Sequence, residues 1–384
     1  MSPRFATAAV FFVNGAGVGT LLPQVPYLRD QLDISKGVIG LCLLAMTLGA
    51  LIAMPIAGQL LDRRPSRAIV RGAIAVYPLA LAFPLLARTP LVLAALLFVV
   101  GAANGFLDIS MNAHGAAIER DEQRPIMSSL HAGWSLGGVA GAVAVGLSAG
   151  AGVDPRVHMV ATAIVLWVLG VTVARWIGHA DVVAEEQSAG FRLPPRDVIL
   201  LGVLCILVMV TEGAMNDWSA LYLREDLGTS AGVAATGFAA FSAGMAIGRF
   251  GGDAIVARFG AERVLRGGAA LAALVLGAFL AVGEPAAALP GLALVGLGVA
   301  NGVPLLFSAA GRTATPGPAI AAVGTMGYVA FLGGPPFLGF LADAIGLPTA
   351  LATICLAAAV VVVLGGRPYH EERAARARAR VGAV

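Results

Sequence analysis

Charge is scarce in this 384-residue chain: Asp, Glu, Lys and Arg make up 12% of it, about half the roughly 25% of an ordinary soluble domain. With 58% hydrophobic residues, the composition excludes a water-soluble globule and points to a polytopic membrane protein. Cysteine is scarcer still. Cys42, Cys205 and Cys355 stand in apolar runs without CxxC or Cys/His spacing, which argues against disulfides, structural zinc and dithiol chemistry. The histidines form no metal-spaced group, and there is neither a G-x-S-x-G nor a Walker loop; neither an enzyme nor a nucleotide-driven pump is expected, and no cofactor. No short apolar leader opens the chain, because Phe5 to Val25 is long enough to span by itself. Asparagine is missing from the loops. Asn14, Asn104, Asn112, Asn216 and Asn301 all fall inside apolar segments, where an amide must find a partner in a helix contact or a wet cavity.

What is present is a series of apolar stretches of about twenty residues. The pattern predicts twelve spans, near 5–27, 37–61, 68–87, 91–117, 126–149, 157–178, 198–221, 231–251, 264–282, 286–310, 319–341 and 347–365. If both termini are cytoplasmic, all of the 25 basic residues but Arg29, Lys36, Arg88, Arg156 and Arg224 fall at or near that side, as the positive-inside rule requires. The chain also repeats itself. Tyr27-Leu-Arg-Asp-Gln-Leu32 returns as Tyr222-Leu-Arg-Glu-Asp-Leu227, and Gly101 to Gly105, GAANG, returns as GVANG at Gly298 to Gly302. Both recurrences lie about half the chain length apart, so six helices repeat in parallel orientation, the layout of a two-half secondary transporter. The expected fold is an all-α membrane protein of twelve transmembrane helices in two pseudo-symmetric halves. Its parts are a six-helix bundle over 1–178, a cytoplasmic linker over 179–196, a second bundle over 197–366 and a charged cytoplasmic tail over 367–384.

The fourth span carries unusual polarity. Asn104, Asp108, Asn112 and Glu119 fall within an arc of about 80° of a helix. An isolated ionised carboxylate in lipid is costly, which makes Asp108 the first candidate to gain and lose a proton. Glu212 is the second, with Asn216 and Ser219 on its face of the seventh span; neither helix carries an internal Lys or Arg. Asp217 reads as a solvated helix end, and His114, pointing away from the stripe, as a structural hydrogen bond. Asn14 lies near the midplane and is read as a solute contact. Asn104 and Asn301 are repeat-equivalents for which interhelical packing and ligand contact weigh equally. His131, with Ser135 and Gly138 on its face, suits either a cavity partner or a gate. Trp134 and Trp218 could stack on a sugar ring, against the alternative of interfacial anchors. The mixed charges from Glu119 to Arg124 suggest an ion-pair network that closes one face.

Between the second and third spans, Gly58-Gln-Leu-Leu-Asp62-Arg63-Arg64-Pro65-Ser66-Arg67 resembles the loop signature G-x-x-x-D-R-x-G-R-x of the major facilitator superfamily. Its second-half twin holds Gly248, Arg249, Asp253 and Arg258. The resemblance implies gating roles for Gly58, Asp62, Arg63, Arg67, Arg249, Asp253 and Arg258, the last three read as belonging to the second cytoplasmic loop. Pro65 stands where the signature has Gly and cannot take the left-handed backbone that Gly allows. Within the superfamily, Asp108 followed by Asn112, and Leu22-Pro23-Gln24, resemble the fucose:proton symporter branch and its uncharacterised bacterial relatives. Gly19 replaces that branch's first-helix aspartate, so fucose itself is not implied. The resemblance implies a proton-coupled secondary transporter of a small polar, sugar-like solute, working by alternating access. It gives Asp108 and Asn112 a role in proton and solute binding; with the residue readings above, proton coupling is expected of Asp108 and Glu212, and solute contact of Asn14, Asn112, His131, Trp134, Asn216 and Asn301. An exporter of drugs or metabolites and a transporter-like sensor are the alternatives. The expected partners are the solute, protons and the lipid bilayer of the cytoplasmic (inner) membrane. A monomer without nucleic acid is expected.

Overall fold

A computed structural model of the chain describes residues 2–61, 63–122, 126–178, 196–313 and 316–369. Twelve helices in it are long and apolar enough to cross a membrane: α1 Pro3–Leu32, α2 Lys36–Leu61, α3 Ser66–Leu86, α4 Pro90–Glu122, α5 Ser129–Gly150, α6 Pro155–Ala174, α7 Val198–Asp226, α8 Ala231–Phe259, α9 Ala261–Val282, α10 Pro285–Ala310, α11 Ala322–Ile345 and α12 Leu347–Tyr369. Hydrocarbon leaves no water for unpaired backbone groups, so each apolar run closes its own hydrogen bonds as helix. An even number of crossings among the described residues puts Pro3 and Tyr369 on one side, hereafter the termini face; the other is the far face.

The packing repeats with the sequence. In the first half α1 lies on α5 and α2 on α4; in the second, α7 lies on α11 and α8 on α10. Across the halves α5 packs on α8 and α2 on α11, and the repeat exchanges one of these contacts for the other. Small residues permit the close approaches. A Cβ added at Gly15 or Gly19 of α1 would fall within 3.0 Å of the backbone carbonyl of Trp134 or Gly138 on α5.

Several helices depart from regularity, three of them near the site or the ends of the repeat. Pro23 and Pro26 break α1 into Pro3–Leu21, a 3₁₀ turn Leu22–Gln24 and Val25–Leu32, as the missing N–H of proline dictates. The last turn of α7, Tyr222–Asp226, is a π-helix. α10 is interrupted between Val299 and Gly302, with Asn301 at the break.

The expected second loop is displaced. α8 runs to Phe259, so Arg249, Asp253 and Arg258 lie within the helix, and Arg249 is well inside the span rather than in a loop. Pro65 causes no difficulty. It sits at φ −55 and ψ 130, directly before α3, and no left-handed residue is used between α2 and α3 among the described residues. Asp62, Arg124, the linker (apart from the backbone of Arg196) and the tail beyond 369 lie outside the described residues.

Candidate solute and proton site at mid-depth

Asp108 sits near the middle of α4, half-buried. Its side-chain partner is Asn112, one turn on, whose Nδ2 donates to the Asp108 carbonyl at 2.9 Å and to its Oδ1 at 3.1 Å. The i, i+4 spacing foreseen in the sequence makes this contact. No cation lies within ion-pair distance of Asp108 among the described residues. Its charge reaches Tyr77 on α3 and Tyr328 on α11, and Tyr328 belongs to the opposite half.

Glu212 on α7 differs. Arg249 Nη2, from the neighbouring α8, lies 3.6 Å from its Oε1, with the side chains 28% and 15% exposed. Helix α7 itself holds no internal cation, yet the fold supplies one. Arg249 also lies in electrostatic reach of His131 on α5, so the three residues span the interface. His131 donates through Nδ1 to the Met127 carbonyl at 3.1 Å and tilts against Phe11 at 5.3 Å. Asn216, on the face of Glu212, is half-buried. Glu212→Gln should strand Arg249 without its counter-charge, at a cost of roughly 3–5 kcal/mol if the site is dry and less with water access. Melting curves should show the loss, with much of it recovered when Arg249→Gln is added; a purely additive double variant would contradict the pairing.

Asn14, read as a solute contact, has both ends of its side-chain amide in packing hydrogen bonds. It is 1% exposed, donates to Asn104 Oδ1 at 2.9 Å and accepts from Trp134 Nε1 at 2.8 Å, while Tyr77 Oη donates to its carbonyl at 3.2 Å. These bonds tie α1, α3, α4 and α5 together and hold Trp134 with its indole nitrogen inward. Asn14→Leu should lower stability by roughly 1–3 kcal/mol through the orphaned Trp134 and Asn104 groups, read as a fall in Tm; an unchanged Tm would contradict the network. Asn301 also makes a packing bond. At the break in α10 it donates to the Gly248 carbonyl at 3.0 Å, beside a cavity of about 330 Å³ that also involves Phe259 and Arg263. That cavity lies on the flank where α9 runs.

The other polar residues divide. His114 is buried and shares a 2.8 Å hydrogen bond with Ser66 through Nδ1. Glu119 Oε2 accepts from the backbone nitrogens of Ile126 and Met127 at 2.6 and 2.8 Å, capping the next helix rather than joining an ion pair with a described residue. Arg63 and Asp253 are exposed, as is Arg258, stacked 5.3 Å over Phe259. Arg67 is half-buried, and a Cβ at Gly58 would meet open space. Trp218 is no interfacial anchor, being fully buried with its Nε1 unpartnered among the described residues, as are the hydroxyls of Ser135 and Ser219.

Asp217 is the residue that the sequence understated. The helix continues through the π turn to Asp226, so Asp217 is not at a solvated end; it is half-buried, without an ion pair among the described residues. Only the run past Leu221 could have signalled this.

Twelve apolar helices with polar side chains gathered at mid-depth are the build of a multi-pass membrane transporter. The sequence model of the Major Facilitator Superfamily matches residues 7–318 and again 200–383. The chain belongs to that superfamily. It is 33% identical over 359 residues to an uncharacterized MFS-type transporter of Yersinia pestis, covering 93% of each chain. To the membrane protein MosC of Rhizobium meliloti it is 31% identical over 375 residues, 96% of this chain and 90% of that one. Among solved structures it resembles nucleoside transporter NupG, with TM-score 0.77, 13% identity and coverage of 96% of this chain and 100% of that one. A bacterial homolog of the human lysosomal transporter Spinster, inward-facing and occupied, gives TM-score 0.78 at 12% identity and 96% coverage of both.

Proposed function

We propose that this transporter moves a small polar, sugar-like solute together with a proton, by rocking of its two halves around the mid-depth site. The observation that carries the reading is Asp108: a half-buried carboxylate at mid-span, hydrogen-bonded to Asn112 and lacking a cation among the described residues. Glu212 already has Arg249, which favours Asp108 as the proton carrier and leaves Glu212 and Arg249 as a pair that opens or closes around the solute. Asn112, Asn216, His131 and Tyr328 offer the hydrogen-bonding groups a polar solute requires. The resemblance of α4 to the fucose:proton symporter branch supports a sugar-like ligand, while Gly19 argues against fucose itself. The distribution of Lys and Arg supports cytoplasmic termini in the inner membrane, so the termini face is the cytoplasmic one.

The test is a thermal-shift screen of the purified protein against sugars, amino acids and cationic drugs at two pH values, repeated with Asp108→Asn. The reading expects polar solutes to stabilise the wild type more at the lower pH and the variant equally at both. Hits confined to cationic drugs would overturn it.

A further inference from the structure

The repeated motif has a second property: its two copies touch. The first copy, Tyr27–Leu32, ends α1 before Asp33 turns the chain at φ 48 into α2; the second forms the π turn that ends α7. At the far face Arg29 of the first copy pairs with Glu225 of the second. Lys36 Nζ approaches the other Glu225 oxygen at 2.9 Å, so two cations of one half hold one carboxylate of the other. These side chains are half-buried, at 26%, 17% and 19% exposed for Arg29, Lys36 and Glu225. Next to them Asp343, near the end of α11, accepts from the backbone nitrogens of Lys36 at 2.9 Å and Gly37 at 2.7 Å. The second half thereby caps the N-terminus of α2 in the first, where free N–H groups and the helix dipole favour an anion.

The arrangement is one-sided. By the repeat, Arg224 corresponds to Arg29 and Asp30 to Glu225, yet Arg224 donates to the Thr229 carbonyl at 2.7 Å within its own half. Arg224 and Asp30 flank a cavity of about 100 Å³ instead of pairing. Among the described residues, the Ser35 side chain also bonds Asp343 at the far face, and Thr47 Oγ1 donates to the Phe331 carbonyl at 3.2 Å, toward mid-depth. Nearer the termini face no cross-half polar bond is found among the described residues. The interface is pinned by charge at the far face.

We propose that Arg29, Lys36, Glu225 and Asp343 form a charge latch that holds the far face shut, and that its release opens the solute site to that face. The proposal rests on alternation between two openings and on neither the solute nor the proton.

Spin labels on cysteines replacing the exposed Arg88 and Glu284, far-face residues of opposite halves, report the width of that opening by double electron–electron resonance. The full chain, with its three native cysteines replaced, is measured in lipid nanodiscs. Glu225→Gln with Asp343→Asn should raise the ratio of far-open to far-closed molecules roughly tenfold, equivalent to about 1.4 kcal/mol. Wild-type protein moved from ~0.1 to ~1 M salt, where the screening length falls from about 10 to about 3 Å, should shift the same way; this arm needs no latch variant to fold. Distance distributions unchanged in both arms would overturn the latch. Because no solute or pH gradient is present, that failure would leave the reading of Asp108 intact.

Discussion

Gly19→Asp is expected to unfold the first half instead of rebuilding a sugar site. The substitution restores the acid that the fucose:proton symporter branch carries at this point, so resemblance alone would favour it. Packing forbids it. A Cβ at position 19 would lie within 3.0 Å of the Gly138 carbonyl, and backbone cannot move aside as a flexible side chain can. Overpacking costs typically 1–3 kcal/mol, and a carboxylate forced into a dry helix contact adds roughly 2.5–3.5 kcal/mol. Together these approach the low end of the about 5–15 kcal/mol that hold a protein folded. Expression with aggregation, or loss of the monodisperse peak in size-exclusion chromatography, checks the expectation; a stable Gly19→Asp protein would show that α1 and α5 can separate. Gly19→Ala should be milder in the same direction.

The second large effect is expected at Asp108. If the solute binds the protonated form, then by linkage it promotes protonation and protonation promotes its binding. Wild-type affinity should then fall by up to about tenfold per pH unit as Asp108 loses its proton, since one unit is worth about 1.36 kcal/mol. Asp108→Asn keeps a neutral, hydrogen-bonding group beside Asn112 and cannot ionise. Its affinity should stay flat over the same range, as calorimetric titration at several pH values would show. A pH dependence surviving in the variant would move the proton elsewhere, and Asp217 would be the next carboxylate to test.

The helix count and the repeat were legible because both are written in local composition: apolar runs of spanning length and a motif that recurs half a chain later. Asp108 with Asn112 was legible because one helical turn joins them. The Glu212–Arg249 pair was not, because it joins α7 to α8 through a lateral register that no periodicity within either helix encodes. Helix α8 also runs deeper than its charged end suggested, carrying Arg249 into the span. The packing bonds of Asn14 were not legible for a related reason: mid-depth and polarity are common to solute contacts and to packing nodes, and the positions of Trp134 and Asn104 come only from the fold. The latch was visible as a motif but not as a contact, since a repeat reveals equivalence and not adjacency.

The central claim, that Asp108 couples solute movement to the proton, is tested most directly by uptake into proteoliposomes under an imposed pH gradient. The solute is the one that gives the largest thermal shift in the screen. With one proton per solute, a gradient of one unit should drive wild-type accumulation up to about tenfold above the external concentration. Asp108→Asn should exchange the solute across the membrane and stop at equal concentrations. Accumulation by the variant to the wild-type level would contradict the account.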